Sequence, residues 1–248
     1  MNIDLPNFDF AEPDRSGIDA LMADVSTCTE MLLKDSDNGC LRRVYARSIF
    51  TMVEGATDYM KRFTHDFTAK LLVPARVSLG ILHTQCPIPI IRDSMDIDEL
   101  SLLRDERREV SNDGTTRMRA VYPDFKANIR FAINAFGRVF QLSIPPNLYA
   151  EPGWSKLLEG EQIRNRITHP KTIASIDISD KELEILRDGG QWIYDTYGRF
   201  LTEAATSLQK AQADLEAWVA QLEEPIANLV AELFARSQKG YSLIKNTP

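Results

Sequence analysis

The stretch Pro123-Asp124-Phe125-Lys126-Ala127-Asn128-Ile129-Arg130-Phe131-Ala132-Ile133-Asn134-Ala135-Phe136-Gly137-Arg138-Val139-Phe140-Gln141-Leu142 places Phe125, Ile129, Ile133, Phe136 and Phe140 at steps of three and four residues. Such steps keep side chains on one stripe of a helix, so the spacing predicts a helix over about 123–142 with a single apolar face. The same rhythm recurs outward from it. Toward the N-terminus a long helix is expected over about 41–72, with Val44, Ile49, Val53, Met60, Phe63 and Phe67 on its buried side. Before it, Ile18, Leu21, Met22, Val25, Cys28, Met31 and Leu32 predict a helix from Ser16 to Lys34. Ser16 supplies the N-cap, and Asp35-Ser36-Asp37-Asn38-Gly39 supplies the stop.

Toward the C-terminus, Pro145-Pro146 marks a break and a helix follows over about 154–169, ended by Pro170. Ser179 caps the next helix, which carries Leu183, Leu186, Ile193 and Tyr197, with an interruption expected at Gly189-Gly190. Leu201, Leu208, Leu215, Leu222 and Leu229 then stand seven apart, accompanied by Ala205, Gln212, Val219 and Ile226. This heptad pattern predicts a helix packed on its own domain or on a second chain, with a break at Pro225.

Residues 73–123 depart from the rhythm. Pro74, Pro87 and Pro89 forbid a continuous helix there, Ile97, Leu100 and Leu103 predict a short one over about 96–105, and Arg107–Arg119 reads as a hairpin turning at Asp113-Gly114. The fold class is therefore all-α, a helical domain over 1–200 with an irregular, hairpin-bearing insertion at 73–123 and a C-terminal helical segment at 201–248.

Composition narrows the function classes. Of 248 residues 44% are apolar and 26% charged, an ordinary globular balance that leaves no room for wholesale disorder. No apolar run approaches the ~20 residues of a membrane span. The acidic start, Met1-Asn2-Ile3-Asp4-Leu5-Pro6, lacks a secretory n-region, and Cys28, Cys40 and Cys86 are few and far apart. A cytoplasmic location with reduced thiols is expected. The net charge of −7 is uneven: residues 1–40 hold nine acids and two bases, 203–248 six and four, leaving 23 bases and 21 acids between. An acidic chain argues against a general grip on nucleic acid, which many Lys and Arg contacts would have to supply, and leaves room for a local phosphate site.

Several chemistries are read down. The twelve glycines form neither a P-loop nor a dinucleotide fingerprint. His83 and Cys86 lack a second pair at metal spacing, so no metal and no cofactor are expected. Arg104, Arg107, Arg108, Arg117 and Arg119 form a basic cluster able to contact an RNA backbone, but the interleaved Asp105, Glu106 and Glu109 make a solvated hairpin the plainer reading.

The segment that carries chemistry is Gln162-Ile163-Arg164-Asn165-Arg166-Ile167-Thr168-His169-Pro170-Lys171. Asn165 and His169, four apart on a helix, share a face, so the amide can orient the imidazole. Arg164 sits about 140° round the helix from His169, within reach of a long side chain. A phosphate-binding cation, a titratable group and an orienting amide are the parts needed to cleave RNA through its own 2′-OH. One histidine is short of a base-and-acid pair, and a two-fold homodimer supplies the second. The plain alternative is that these cations complement a helix C-terminus. On the long helix, Arg47 and Glu54 are seven apart and nearly in register, and Glu54 can pair with Arg164 and hold it, although a surface role is the commoner fate of such charges.

The run Arg164-Asn165-x3-His169-Pro170, on a helix end after Gly153-Trp154, resembles the R-polar-x3-H motif of the HEPN superfamily. Tyr45-Ala46-Arg47-Ser48-Ile49-Phe50 through Val53-Glu54-Gly55, Asp98-Glu99-Leu100-Ser101-Leu102-Leu103, the Asn112-Asp113-Gly114 turn and Ile176-Asp177-Ile178-Ser179-Asp180 look like the same group. The resemblance spans about residues 41–200. It implies a helical bundle, commonly dimeric, and in many members a metal-independent endoribonuclease of toxin–antitoxin or anti-phage defence systems. By position it makes Arg164 and His169 the catalytic pair and Asn165 the polar motif residue. RNA is then the substrate, with an antitoxin or defence protein as a further partner and no membrane. Other HEPN-like proteins are non-catalytic modules that bind a protein or nucleotide partner, and both readings stay open here.

Overall fold

The computed structural model describes residues 16–72, 95, 97–121 and 123–222. Among them are six α-helices and one two-stranded antiparallel hairpin, so the chain is mostly helical with a small β insertion. In chain order these are α1 (Ser16–Lys34), α2 (Gly39–Phe67, continuing as a π-helical turn Thr68–Leu72), α3 (Ile97–Leu102), β1 (Glu106–Val110), β2 (Thr116–Ala120), α4 (Phe125–Val139), α5 (Pro152–Thr168) and α6 (Asp180–Val219). The segments holding Pro74, His83, Cys86, Pro87, Pro89, Pro225, Ile226 and Leu229, and the acidic start of the chain, lie outside the described residues. No helix among the described residues is long and apolar enough to cross a membrane.

Capping explains where the helices begin. Asn38 Oδ1 accepts from the backbone N–H groups of Cys40 (3.0 Å) and Leu41 (3.2 Å), so α2 starts at Gly39, two residues ahead of the apolar pattern. Asp124 caps α4 by accepting from Ala127 N–H at 3.0 Å. Ser179 and Glu182 form a reciprocal box at the head of α6, with Glu182 Oε2 2.9 Å from Ser179 N and Ser179 Oγ 3.3 Å from Glu182 N. Pro152 opens α5, where its missing N–H costs no hydrogen bond.

The described residues group into two compact units, each discontinuous in sequence: residues 16–59 with 144–201, and those between 60 and 143 with 202–222. The first unit carries the motif. Its core joins Tyr45, Ala46, Ile49, Phe50 and Val53 of α2 to Trp154, Leu157, Ile163 and Ile167 of α5 and to Leu186, Ile193 and Tyr197 of α6, all buried. Val44, expected on the buried side of α2, is exposed instead: the buried stripe runs one position later, through Tyr45, Ile49, Met52 and Ala56. The interruption expected at Gly189-Gly190 does not occur, and α6 is continuous. A methyl group at Gly189 would lie 2.7 Å from the Leu157 backbone, and one at Gly190 would lie 2.9 Å from Ile49 Cδ1. The glycines therefore allow close packing that offsets their helix-propensity cost of ~1 kcal/mol each. The Tyr197 hydroxyl lies 2.7 Å from Thr57 Oγ1 in the interior, and burial pushes its ionisation well above the usual phenol range.

The second unit holds the hairpin. Its aromatic core stacks Phe63 on Phe140 (centroids 5.4 Å apart) and packs Phe136 (4.5 Å) and Phe67 (4.9 Å) against Phe140 with tilted rings. Lys61, with a side chain 0% exposed, is ion-paired with Asp105 and donates to Asn128 Oδ1 at 2.9 Å, so the buried cation fastens the foot of the hairpin to α2 and α4. The strands pair from Glu106↔Ala120 to Val110↔Thr116, and Gly114, at φ 79°, takes the positive-φ turn position. Asp113 accepts from Thr115 Oγ1 (2.7 Å) and Thr115 N (3.0 Å), and these bonds hold its carboxyl below the usual range.

The boundary read at residue 201 falls inside α6, one residue from where the contact grouping divides. Beyond it Leu208 and Leu215 are buried as the heptads imply. Between Leu201 and Leu208 the buried position is Ala204, and Ala205 is exposed, so the buried position there falls one residue before the expected partner.

Candidate functional site

Ile163 and Ile167, buried in the core, fix the rotation of α5. Asn165, Thr168 and His169 consequently face outward, and Arg164 lies at the edge with its side chain 25% exposed. The helix stops where the sequence reading places the stop. His169 is the C-cap, with its backbone N–H donating to the Asn165 carbonyl at 3.0 Å, and Pro170 follows.

Arg164 is held from three directions. Its Nη2 is ion-paired with Glu54 of α2, its Nη1 donates to Asn165 Oδ1 at 3.2 Å, and its guanidinium carbon lies 5.5 Å from the centroid of the buried Phe50 ring. A planar guanidinium seated on a ring and gripped at both ends has little rotamer freedom left to lose. Glu54 is 54% exposed, so the pair stands at the protein surface. Arg47 and Glu54 share the exposed stripe of α2, but no hydrogen bond or ion pair among the described residues joins the Arg47 side chain to Arg164 or Glu54.

The structure assigns the amide a different partner from the one the spacing suggests. Asn165 Oδ1 is taken by Arg164, and the link from Asn165 to His169 runs through the main chain. The imidazole itself is exposed.

Sequence reading overlooks two arginines that set the backbone after His169. Arg166 points away from Arg164 and donates from Nη1 to the carbonyls of Ser175 (3.0 Å) and Asp177 (2.8 Å), while its Nη2 contacts Glu182 Oε1 at 2.6 Å. Arg42 donates to the Ile178 carbonyl at 2.7 Å, the Ser36 carbonyl at 2.7 Å and Asp180 Oδ1 at 2.6 Å. Thr172 and Ser175 close a capping box within the loop. Residues 169–179 are thus tied down through main-chain carbonyls, and Ile173 at the crest is 87% exposed.

Among the described residues no group of three or more His, Cys, Asp or Glu side chains comes together in a way that could hold a metal ion. The chemistry available at this helix end is a fixed guanidinium, which can bind an oxyanion, and an exposed imidazole, which can carry a proton. No protein-family model, curated protein or solved structure matches the chain.

Proposed function

We propose that the chain is an endoribonuclease of HEPN type, acting on RNA without a catalytic metal in a toxin or anti-phage defence role. The observation that carries the reading is the seating of Arg164 by Glu54, Asn165 and Phe50 at the helix end that exposes His169. In this reading His169 moves the proton: as base it takes the 2′-OH hydrogen, and as acid it protonates the departing 5′-oxygen. Two copies of the helix end in a homodimer supply the two roles. Arg164 stabilises the charge that builds on the phosphate. The products end in a 2′,3′-cyclic phosphate and a free 5′-hydroxyl.

The test is incubation of the purified protein with mixed RNA in EDTA. His169→Ala is expected to lower cleavage by ~10²–10⁴ with the fold unchanged, since an exposed side chain at a helix end can be removed without opening a core. Full cleavage by His169→Ala, or equal cleavage of 2′-O-methyl RNA, would overturn the proposal.

One observation favours a second reading, a non-catalytic module for a protein or nucleotide partner. Both terminal nitrogens of Arg164 are already occupied by acceptors of the chain itself. Wild-type protein that leaves RNA intact in the same assay would decide for it.

A further inference from the structure

Among the described residues the β1–β2 ribbon is largely exposed. All five residues of β2 are exposed, as are Arg108 and Val110 of β1, the latter at 73%. A two-stranded hairpin gains little stability by itself in water, and among the described residues this one is fastened at its foot, through Asp105 to the buried Lys61.

The acids that mask the basic cluster in the sequence are disposed differently in the structure. Asp105 is taken by Lys61. Glu109 meets Arg119 at 3.3 Å, a distance typical of a loose surface pair, and Arg119 remains 66% exposed. Arg117 and Arg119, two apart on one strand, project to the same side about 7 Å from each other, a step on the scale of consecutive phosphates in an extended strand. No aromatic residue stands on either strand, so the ribbon offers forks for phosphate and guanidinium planes for bases without base selection.

We infer that the ribbon Glu106–Ala120 is a binding arm for the phosphodiester backbone of single-stranded RNA, gripped on one face by Arg117 and Arg119. The choice of RNA rests on the proposed nuclease reading; the binding itself does not require cleavage. The deep, narrow major groove of an RNA duplex excludes such a ribbon, which favours the single strand.

Fluorescence anisotropy with a labelled 2′-O-methyl oligonucleotide, which cannot be cleaved through a 2′-OH, reads the binding over a range of salt concentrations. Arg117→Gln/Arg119→Gln should weaken binding at least tenfold and reduce the slope of log K against log salt by about 1.4, since each lost phosphate contact on a single strand is worth ~0.7. Glu109→Gln, which frees Arg119, should strengthen it. The thermal midpoint of both variants should stay at the wild-type value, because the altered side chains are exposed. Unchanged affinity and slope in the double variant would overturn the inference, as would tighter binding of an RNA duplex. Aggregation of the double variant with undiminished affinity would assign the arginines to edge protection instead. Loss of cleavage with ribbon-dependent binding intact would sink the nuclease reading alone.

Discussion

Arg164 shows how a single side chain can be fixed in place by partners from two helices. Glu54 lies 110 residues away in sequence and neutralises one end of the guanidinium, Asn165 holds the other, and Phe50 supplies the floor. Under the nuclease reading Glu54 is a positioning residue. Glu54→Ala should lower kcat by ~10–100-fold, the usual cost of losing an orienting partner, while the pH profile set by His169 stays in place. Glu54→Gln keeps an acceptor for Arg164 and should recover part of the rate. Single-turnover kinetics over pH would check both, and a rate in Glu54→Ala equal to wild type would remove Glu54 from the site. Arg164, Asn165 and His169 are legible in the sequence because they fall within two turns of one helix. Arg166 and Arg42 are not, because their partners are chiefly main-chain carbonyls, which every residue carries and no residue type announces.

At the scale of elements, local rules and tertiary packing divide the work. Periodicity and end signals delimit α1 from Ser16 to Lys34, and a turn that needs positive φ places the hairpin. Where one element presses on another, local reading misleads. Gly189-Gly190 looks like a break because glycine weakens an isolated helix; the backbone of Leu157 and the side chain of Ile49 make it a contact surface instead. Val44 is misplaced for a related reason: an apolar residue one step off the stripe looks as buried as its neighbours until the facing helix is known. Gly189→Ala should therefore destabilise the fold by ~1–3 kcal/mol, the ordinary cost of overpacking a close approach. Gly198→Ala, where a methyl group meets nothing within 4 Å, should stabilise it slightly through helix propensity, by ~0.5–1 kcal/mol. Urea midpoints compared across the two variants separate the effects, and equal midpoints would refute the packing account.

At the scale of the whole molecule, the proposed reaction asks for two histidines, and His169 is the one the motif supplies. Light scattering at micromolar concentration should return twice the mass of the 248-residue chain, and a monomer there would remove the two-fold site. The interleaving of the two units has a consequence for synthesis. Glu54 leaves the ribosome 110 residues ahead of Arg164, an interval of roughly 6–22 s at the ~5–20 residues per second of translation. Throughout that interval the chain between them is the greater part of the other unit, residues 60–143. The guanidinium seat therefore cannot close on a nascent chain until that intervening unit has been made. The half of the site that waits on α2 is a bare carboxylate beside an aromatic ring, with nothing to offer a phosphate. A newly made copy can close its guanidinium seat only after about two-thirds of the 248 residues have been joined.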